Sequence, residues 1–252
     1  MTREVSVVLN GYKRPKTLGM QLDSLNKQTI KVNEILFWRN SPENRLFQPR
    51  FRRSLTRNLL MSNANHNFGV WGRFSFALLA KSNFILMLDD DTIPGHRWLE
   101  NCFANYDSQP GLYGTIGIRF QSTDGYDGNQ EKIGWDNPNP ERERVDIVGH
   151  SWFFPKDYLS YFWRDIPNPL PRFVGEDMHF SFALQKHAGI GSFVPPHPAN
   201  ERELWGSDPD LARRFGGDNN ATANHALPAM NEYFKKCTDS GFRLIKDYPN
   251  AD

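Results

Sequence analysis

The sequence has few cysteines and no long hydrophobic run. Cys102 and Cys237 are the only two cysteines in 252 residues, so neither a disulfide framework nor a cysteine-based zinc site is available. The longest apolar run, Phe84–Leu88, is far shorter than the ~18–20 residues of a membrane-spanning helix. Thirty Lys and Arg residues balance twenty-nine Asp and Glu residues, and a net charge of +1 excludes a protein that coats DNA by bulk charge.

The start of the chain also lacks a charged leader followed by a long apolar stretch. This pattern predicts no signal peptide, and we expect a cytoplasmic protein. A length of 252 residues suits one large α/β domain, and an aromatic fraction of 13% can supply its core. We therefore expect a single domain over residues 1–252.

Apolar patterning predicts alternating strands and helices in the first half. The predicted strands are Glu4–Leu9, Glu34–Trp38, Leu59–Ser62 and Phe84–Leu88. The predicted helices are Pro15–Lys27, Gly69–Lys81 and Trp98–Tyr106. Strands that alternate with helices build βαβ units, so we expect an α/β fold with a mixed, mostly parallel sheet flanked by helices.

The second half is less regular. Residues 121–146 are rich in Gly, Asn, Pro and charge, which predicts a long loop or a hairpin insertion. Val145–Phe154 is predicted to be one strand, and Gly175–His187 a helix. Residues 195–225 show no period, so we expect a long flexible loop there before a closing helix at Ala226–Gly241.

Three aspartates, Asp89, Asp90 and Asp91, directly follow the apolar strand Phe84–Leu88. Carboxylates at the C-terminal end of a buried strand lie where α/β folds bind ligands, and Mg²⁺ or Mn²⁺ prefers such oxygen ligands. Along an extended chain, Asp89 and Asp91 would point to one side and Asp90 to the other. The alternative is a solvated acidic turn that caps the next helix.

A second acidic pair, Glu176 and Asp177, opens the predicted helix Gly175–His187. Carboxylates in a first turn stabilise the helix dipole, which is one interpretation of the pair. The other is chemical, because such a carboxylate can deprotonate an acceptor hydroxyl.

Three segments in series resemble the GT-A-fold, nucleotide-sugar-dependent glycosyltransferases, over roughly residues 4–197. VSVVLNGYKRPKTLGMQLDSLNKQ resembles their opening strand and helix, and NHNFGVWGRFSFALLAKSNFILMLDDDT their asparagine–glycine segment, helix and Asp-x-Asp strand. GEDMHFSFALQKHAGIGSFVP resembles their later acidic motif. The Glu-Asp pair and Val194-Pro195 are similar to family-2-type inverting enzymes, whereas YKRP, WRNS, DDDT and Gly149–Phe154 are similar to exostosin-like retaining enzymes. Both branches stay open, and the stereochemistry with them.

The resemblance implies a GT-A (Rossmann-like) fold that binds a nucleoside diphosphate sugar, with UDP favoured, in residues 1–95 and an acceptor in residues 96–252. It implies that Asp89 and Asp91 form the Asp-x-Asp pair that binds Mn²⁺ or Mg²⁺, and that Asp177 is the catalytic carboxylate with Glu176 beside it. The donor-binding residues that it implies are Asn10, Tyr12, Arg14, Asn40, Asn67, Arg73, Asp89 and Asp90.

The resemblance also implies a further metal ligand and a further arginine, each with more than one candidate residue. Where family-2-type enzymes often place a metal-binding histidine, this chain has Glu201, so His197 and His225 are candidate metal ligands. An arginine of the 200–215 stretch would add positive charge as the donor bond breaks; the candidates are Arg202, Arg213 and Arg214.

The acceptor is the least determined partner. Residues 39–57 carry six arginines against one acid, which indicates either a solvated loop or a surface for an anionic acceptor. We expect sugar transfer to a glycan or other hydroxyl acceptor, with Trp135 and Trp152 as stacking platforms. The alternatives are a glycosyltransferase acting on modified bases of phage-type DNA through Arg45–Arg57, a nucleotide-sugar hydrolase, and a nucleotide-sugar-binding protein without transfer activity.

Overall fold

The computed structural model describes residues 3–12, 14, 16–40, 58–127, 130–216 and 223–247, with no side-chain description for 215–216 and 223–225. Within them the strands are β1 Val5–Gly11, β2 Val32–Arg39, β3 Leu59–Asn63, β4 Phe84–Leu88, β5 Leu112–Tyr113, β6 Ile116–Phe120, β7 Gln130–Gly134, β8 Glu143–Val145, β9 Ile147–Gly149, β10 Ser151–Pro155 and β11 Ser192–Val194. The α-helices are α1 Thr17–Asn26, α2 Gly72–Ala77, α3 Trp98–Ser108, α4 Leu159–Phe162, α5 Glu176–Ala188, α6 Pro209–Gly216 and α7 Ala223–Asp239. Single 3₁₀ turns lie at Lys156–Tyr158, Arg202–Leu204 and Ile245–Asp247.

The strands form one large and one small sheet. The large sheet has the order β3-β2-β1-β4-β10-β5-β11-β8, and the small one β7-β6-β9. Strand β1 pairs in parallel with β2 and β4, whereas β10 is antiparallel to both β4 and β5. This mixed, mostly parallel α/β architecture is that of a Rossmann-like GT-A fold, so the predicted fold class is confirmed.

The central strands are short apolar runs because both of their faces are covered. Along β1, Val5, Val7 and Leu9 face a core that includes leucines of α1, whereas Val8 faces the core that includes α2. Strand β4 alternates in the same way, and all of its residues are buried. Continuous burial on two faces is the usual state of a parallel strand in an α/β sheet.

Three element predictions differ from the structure. The predicted strand Val145–Phe154 is divided among three short strands, β8, β9 and β10, of which β9 and β10 are separated at His150, where the backbone turns with a φ of +63°. The predicted helix Gly69–Lys81 is limited to Gly72–Ala77. Gly69 itself has a φ of +75° and lies against the carbonyl of Arg172, which excludes it from a right-handed helix. Residues 195–225, predicted to be a loop, contain the Arg202–Leu204 turn and α6.

Candidate active site

A cavity of about 870 Å³ opens at the carboxyl ends of β1 and β4 and continues along the small sheet. Its size is that of a small-molecule site, and the ends of parallel strands are where α/β folds bind ligands. The cavity brings together most of the predicted site residues: Asn10, Tyr12, Arg14, Arg73, Asp89, Asp90, Asp91, Glu176 and Asp177.

The three aspartates form a turn rather than an extension of β4. The amide of Asp89 donates to the carbonyl of His150 at 2.9 Å, and the amide of Thr92 donates back to the carbonyl of Asp89 at 3.1 Å. Strand β4 ends at Leu88, so the extended chain on which the predicted orientation of Asp89 and Asp91 rests is absent. All three residues line the cavity.

Two arginines neutralise this acidic turn. The Nη1 atom of Arg14 lies 2.6 Å from Asp90 Oδ1 and 3.2 Å from Asp91 Oδ2. Asp89 forms an ion pair with Arg73. The negative charge of the turn is thus partly neutralised, and Arg14 and Arg73 place positive charge on both sides of it.

Arg73 connects the two acidic motifs. Its side chain is only 4% exposed, and its Nη2 atom lies 2.7 Å from Glu176 Oε1 while Nη1 contacts Asp89. The guanidinium also lies 4.4 Å over the ring of Trp152. Within the described part of the chain, its buried Nε–H has no hydrogen-bond partner. A rigid cation on a cavity wall is suited to a phosphate or carboxylate ligand.

The Glu176-Asp177 pair lies at the N-terminus of α5. The Oδ1 atom of Asp177 accepts a hydrogen bond from the amide of Met178 at 2.7 Å. Burial raises the pKa of both carboxyls, and the charge of Arg73 opposes that rise. A carboxyl whose pKa is raised towards the working pH is a better proton acceptor than an ordinary aspartate.

Hydrogen bonds between two loops bring Arg73 close to the Glu176-Asp177 pair. The indole Nε1–H of Trp71 donates to the carbonyls of Pro171 and Val174, each at 2.9 Å. The amide of Val70 donates to the carbonyl of Arg172 at 2.9 Å. The segment leading into α2 is therefore tied to the segment leading into α5, which places an arginine and a glutamate over a hundred residues apart in contact.

Asn40 and Asn67 support the site from behind. Asn40 is buried; its Oδ1 accepts from the amide of Phe68 at 2.9 Å, and its Nδ2 donates to the carbonyl of Gly69 at 3.0 Å and to Asn67 Oδ1 at 3.1 Å. Asn67 Nδ2 donates in turn to Tyr12 Oη at 3.1 Å. Both were predicted to contact the donor. The structure places them in a hydrogen-bonded brace that holds Tyr12, outside the lining of the cavity.

The geometry of His197 argues against the predicted metal role. The ring is fully buried and outside the cavity lining; Nδ1 bonds to the carbonyl of Pro195 at 2.8 Å, and Nε2 accepts from the amide of Gly206 at 3.1 Å. Burial lowers its pKa to about 4. Both nitrogens are thus used in structural hydrogen bonds. The side chain of His225 lies outside the described residues, so its predicted role stays a prediction.

The described residues contain no group of three or more His, Cys, Asp or Glu arranged to hold a metal ion. Asp91 nevertheless offers the right kind of ligand. Burial raises the pKa of its carboxyl, and neighbouring Asp89 and Asp90 add to the rise, so a cation would relieve this cost. The donor set fits a Mn²⁺ or Mg²⁺ ion held mainly through Asp91, since such ions commonly complete their shell with ligand phosphates and water.

Of three further cavity residues, sequence reasoning missed His150, left Arg213 among three alternatives, and predicted Trp135 as a stacking platform. Trp135 and His150 both have positive φ, +54° and +63°, and their rings lie 4.9 Å apart on the cavity wall. Arg213 of α6 lies 5.3 Å over the ring of Trp135 and pairs with Asp136. Arg213 lines the cavity, whereas exposed Arg202 pairs with Asp210. A positive φ at a non-glycine residue leaves no mark in sequence patterning.

Two further sequence predictions concern surfaces. Most of the arginine-rich stretch, including Arg45, Arg50, Arg52, Arg53 and Arg57, lies outside the described residues. In the portion of the chain with described coordinates, no helix combines the length and apolarity needed to cross a membrane.

A local test of this geometry is available at Gly175. It has a φ of +86°, and a Cβ there would lie 2.4 Å from the ring of Tyr233. We expect Gly175→Ala to lower the free energy of unfolding by about 2–4 kcal/mol, from backbone strain and overpacking together. Urea denaturation measures this loss. Gly189 at the other end of α5 has a φ of +64° with nothing within 4 Å of a Cβ, so Gly189→Ala is the matched control for strain alone. Equal losses would contradict the contact with Tyr233.

The fold is similar to solved structures of TarS from S. aureus. The structure of TarS 1–349 in complex with UDP-GlcNAc superposes with a TM-score of 0.52 at 19% identity, covering 79% of this chain and 60% of that one. A second TarS structure gives a TM-score of 0.51 at 19% identity, covering 77% of this chain and 37% of that one. This chain therefore matches less than two thirds of the length of either. No protein-family model matches the chain, and no curated protein does.

Proposed function

We propose that this chain is a glycosyltransferase that transfers a sugar from a nucleoside diphosphate sugar, UDP-linked, to an acceptor hydroxyl. One observation carries the proposal: buried Arg73 joins the acidic turn at Asp89 to the Glu176-Asp177 pair in a single cavity. The fold likeness to the glycosyltransferase TarS, solved in complex with UDP-GlcNAc, supports a donor of this class.

The polar end of the cavity has the charges that such a donor needs. Arg73 and Arg14 supply positive charge for the diphosphate, and Asn10 and Tyr12 at the end of β1 lie beside them for the nucleoside. Asp91, with Asp89 next to it, would hold Mn²⁺ or Mg²⁺. When bound, that ion supplies charge neutralisation for the departing diphosphate.

Asp177 is the proposed general base. It takes the proton of the acceptor hydroxyl as that oxygen bonds to the anomeric carbon, and the bond from this carbon to the phosphate oxygen breaks. The electron pair leaves with the nucleoside diphosphate, whose charge Arg73 stabilises. This assignment applies to an inverting reaction. In a retaining reaction the acceptor attacks from the leaving-group side, and Asp177 would instead stabilise positive charge on the sugar.

The metal-dependent donor site is tested by thermal denaturation with UDP and UDP-GlcNAc, with and without Mn²⁺. A ligand at a hundred times its dissociation constant adds about 2.7 kcal/mol to the free energy of unfolding. We expect Asp91→Asn to lose the Mn²⁺-dependent part of this stabilisation and to keep its fold. Asp157→Asn removes an exposed carboxylate outside the cavity and should behave as wild type.

The outcomes separate two claims. Absence of stabilisation by every nucleotide in the wild type would remove the donor site and the proposed function with it. Stabilisation by nucleotide that is indifferent to Mn²⁺ would keep the donor site and remove the role of Asp91 as a metal ligand.

A further inference from the structure

The cavity has a second wall whose chemistry is unlike that of the first. Beyond the acidic turn it runs along β6 and β9, the segment before α5, and α7. Five wall residues that keep accessible surface are apolar or aromatic: Ile116, Tyr126, Trp135, Phe173 and Leu227. They alternate with polar residues that are also accessible, namely Asp127, Gln130, Lys132, His150 and Arg213. Behind the five apolar or aromatic residues lie buried Ile118, Ile147, Val148, Val174 and Met230.

We propose that this wall is the acceptor subsite and that the acceptor is an uncharged molecule whose reactive hydroxyl is carried on, or directly beside, an apolar ring or alkyl group. The inference rests on the proposed function, since it takes Asp177 as the group that faces the hydroxyl. It narrows the acceptor class, for which the sequence left a glycan or other hydroxyl acceptor, an anionic acceptor and modified DNA bases open.

Phe173 is the wall residue whose exposure most clearly indicates a bound ligand. Its side chain is 52% exposed, yet it lines the cavity and lies four positions before Asp177. A large aromatic side chain left exposed at a cavity mouth gains free energy when an apolar group covers it. An acceptor with its hydroxyl at Asp177 would bring its adjoining group against this ring.

Charge on this side disfavours an anionic acceptor. Asp177 and the exposed rim residue Asp127 contribute carboxylates, against the exposed rim cation Lys132. The remaining cations of the described lining are engaged with carboxylates: Arg14 with the acidic turn, Arg73 with Asp89 and Glu176, and Arg213 with Asp136. A phosphate or carboxylate group on the acceptor would therefore meet like charge where the reaction takes place.

A matched pair of dyes tests the wall without requiring catalysis. N-phenyl-1-naphthylamine is uncharged, and 1-anilinonaphthalene-8-sulfonate is the same skeleton with a sulfonate. We expect the uncharged dye to bind wild-type protein at least tenfold more tightly by fluorescence titration. Phe173→Ala should weaken that binding at least fivefold. Ile166→Ala removes a comparably exposed apolar side chain, 54% exposed and outside the cavity lining, and should leave binding unchanged.

Tighter binding of the sulfonate, or equal binding to the Phe173→Ala and wild-type proteins, would overturn the proposal. Turnover adds a second measurement: 4-nitrophenyl glycosides are compared with the matching methyl glycosides as acceptors, by release of UDP from the donor that stabilises the protein. We expect a KM at least tenfold lower for the nitrophenyl member.

An equal KM, or no nitrophenyl acceptor that raises UDP release while donor binding persists, would also refute the apolar subsite. Loss of donor binding itself is a distinct result. It would contradict the proposed function and leave the dye measurement to decide what the wall binds.

Discussion

Asp177→Asn should lower the rate of sugar transfer by about a thousandfold, in the middle of the range for loss of a general base. The amide cannot accept the acceptor proton, although it keeps the size of the carboxyl and can still accept the hydrogen bond from the amide of Met178. Affinity for UDP should stay within a few-fold of wild type, because Asp177 is not part of the acidic turn. UDP release measures the rate, and calorimetric titration with UDP measures the affinity.

Asp127→Asn is the control for removal of a carboxylate from the same cavity. This exposed residue lines the rim, and its neutralisation should change the rate by less than a few-fold. An Asp177→Asn protein that keeps more than a tenth of wild-type activity would exclude Asp177 as the general base and make Glu176 the next candidate for that role.

Arg73→Met should destabilise the fold by about 3–5 kcal/mol, the usual cost of breaking a buried ion pair by removing one partner. Methionine fills part of the volume, but Glu176 loses its buried counterion and Asp89 loses a partner. Urea denaturation at pH 7 measures the loss. Arg202→Met is the matched control, since Arg202 pairs with Asp210 in solvent and its removal should have no measurable effect on stability.

The pH dependence identifies the cause of that loss. Without Arg73, the pKa of Glu176 rises further above its unfolded value, so the folded protein binds the proton more strongly than the unfolded chain does. Wild-type Glu176, whose pKa is raised to about 8, loses its proton as the pH rises from 7 to 9, whereas the variant keeps it, so the stability of the variant relative to wild type should fall over this interval. A loss that stays constant over this interval would point to packing against Trp152 rather than to the uncompensated carboxylate.

The strands at the centre of the fold could be predicted from the sequence because their physics is local. A short β-branched or apolar run such as Phe84–Leu88 has few alternatives to a buried strand, and the polar residues that follow it lie at a sheet edge. The gathering of Asn10, Arg14 and Asp89 in one cavity follows from parallel strands ending side by side. The pairing of Arg73 with Glu176 does not follow from the order of strands and helices. It depends on the hydrogen bonds that the Trp71 indole donates to the loop before α5.

The wall formed by the small sheet was beyond sequence reasoning for a different reason. A continuous apolar stretch at Val145–Phe154 does not show that the chain leaves one sheet and returns to it. The return from β9, which pairs with β6, to β10, which pairs with β4, depends on the backbone conformation of His150. The cavity residues at the ends of β1 and β4, and Trp135, were therefore predicted from the sequence, whereas His150 and most of the apolar wall required the structure.

The position of β10 limits how this chain can be recombined with other chains of similar fold. It pairs with β4 along its whole length, from Ser151 opposite Leu88 to Pro155 opposite Phe84, and the acidic turn is attached to the same seam through the amide of Asp89. A chimera that exchanged residues 96–252 for those of another sequence would have to match a foreign β10 to the resident β4. A change of specificity should therefore be easier to obtain by substitutions away from the β4–β10 pairing, as on α7, than by exchanging one half of the chain.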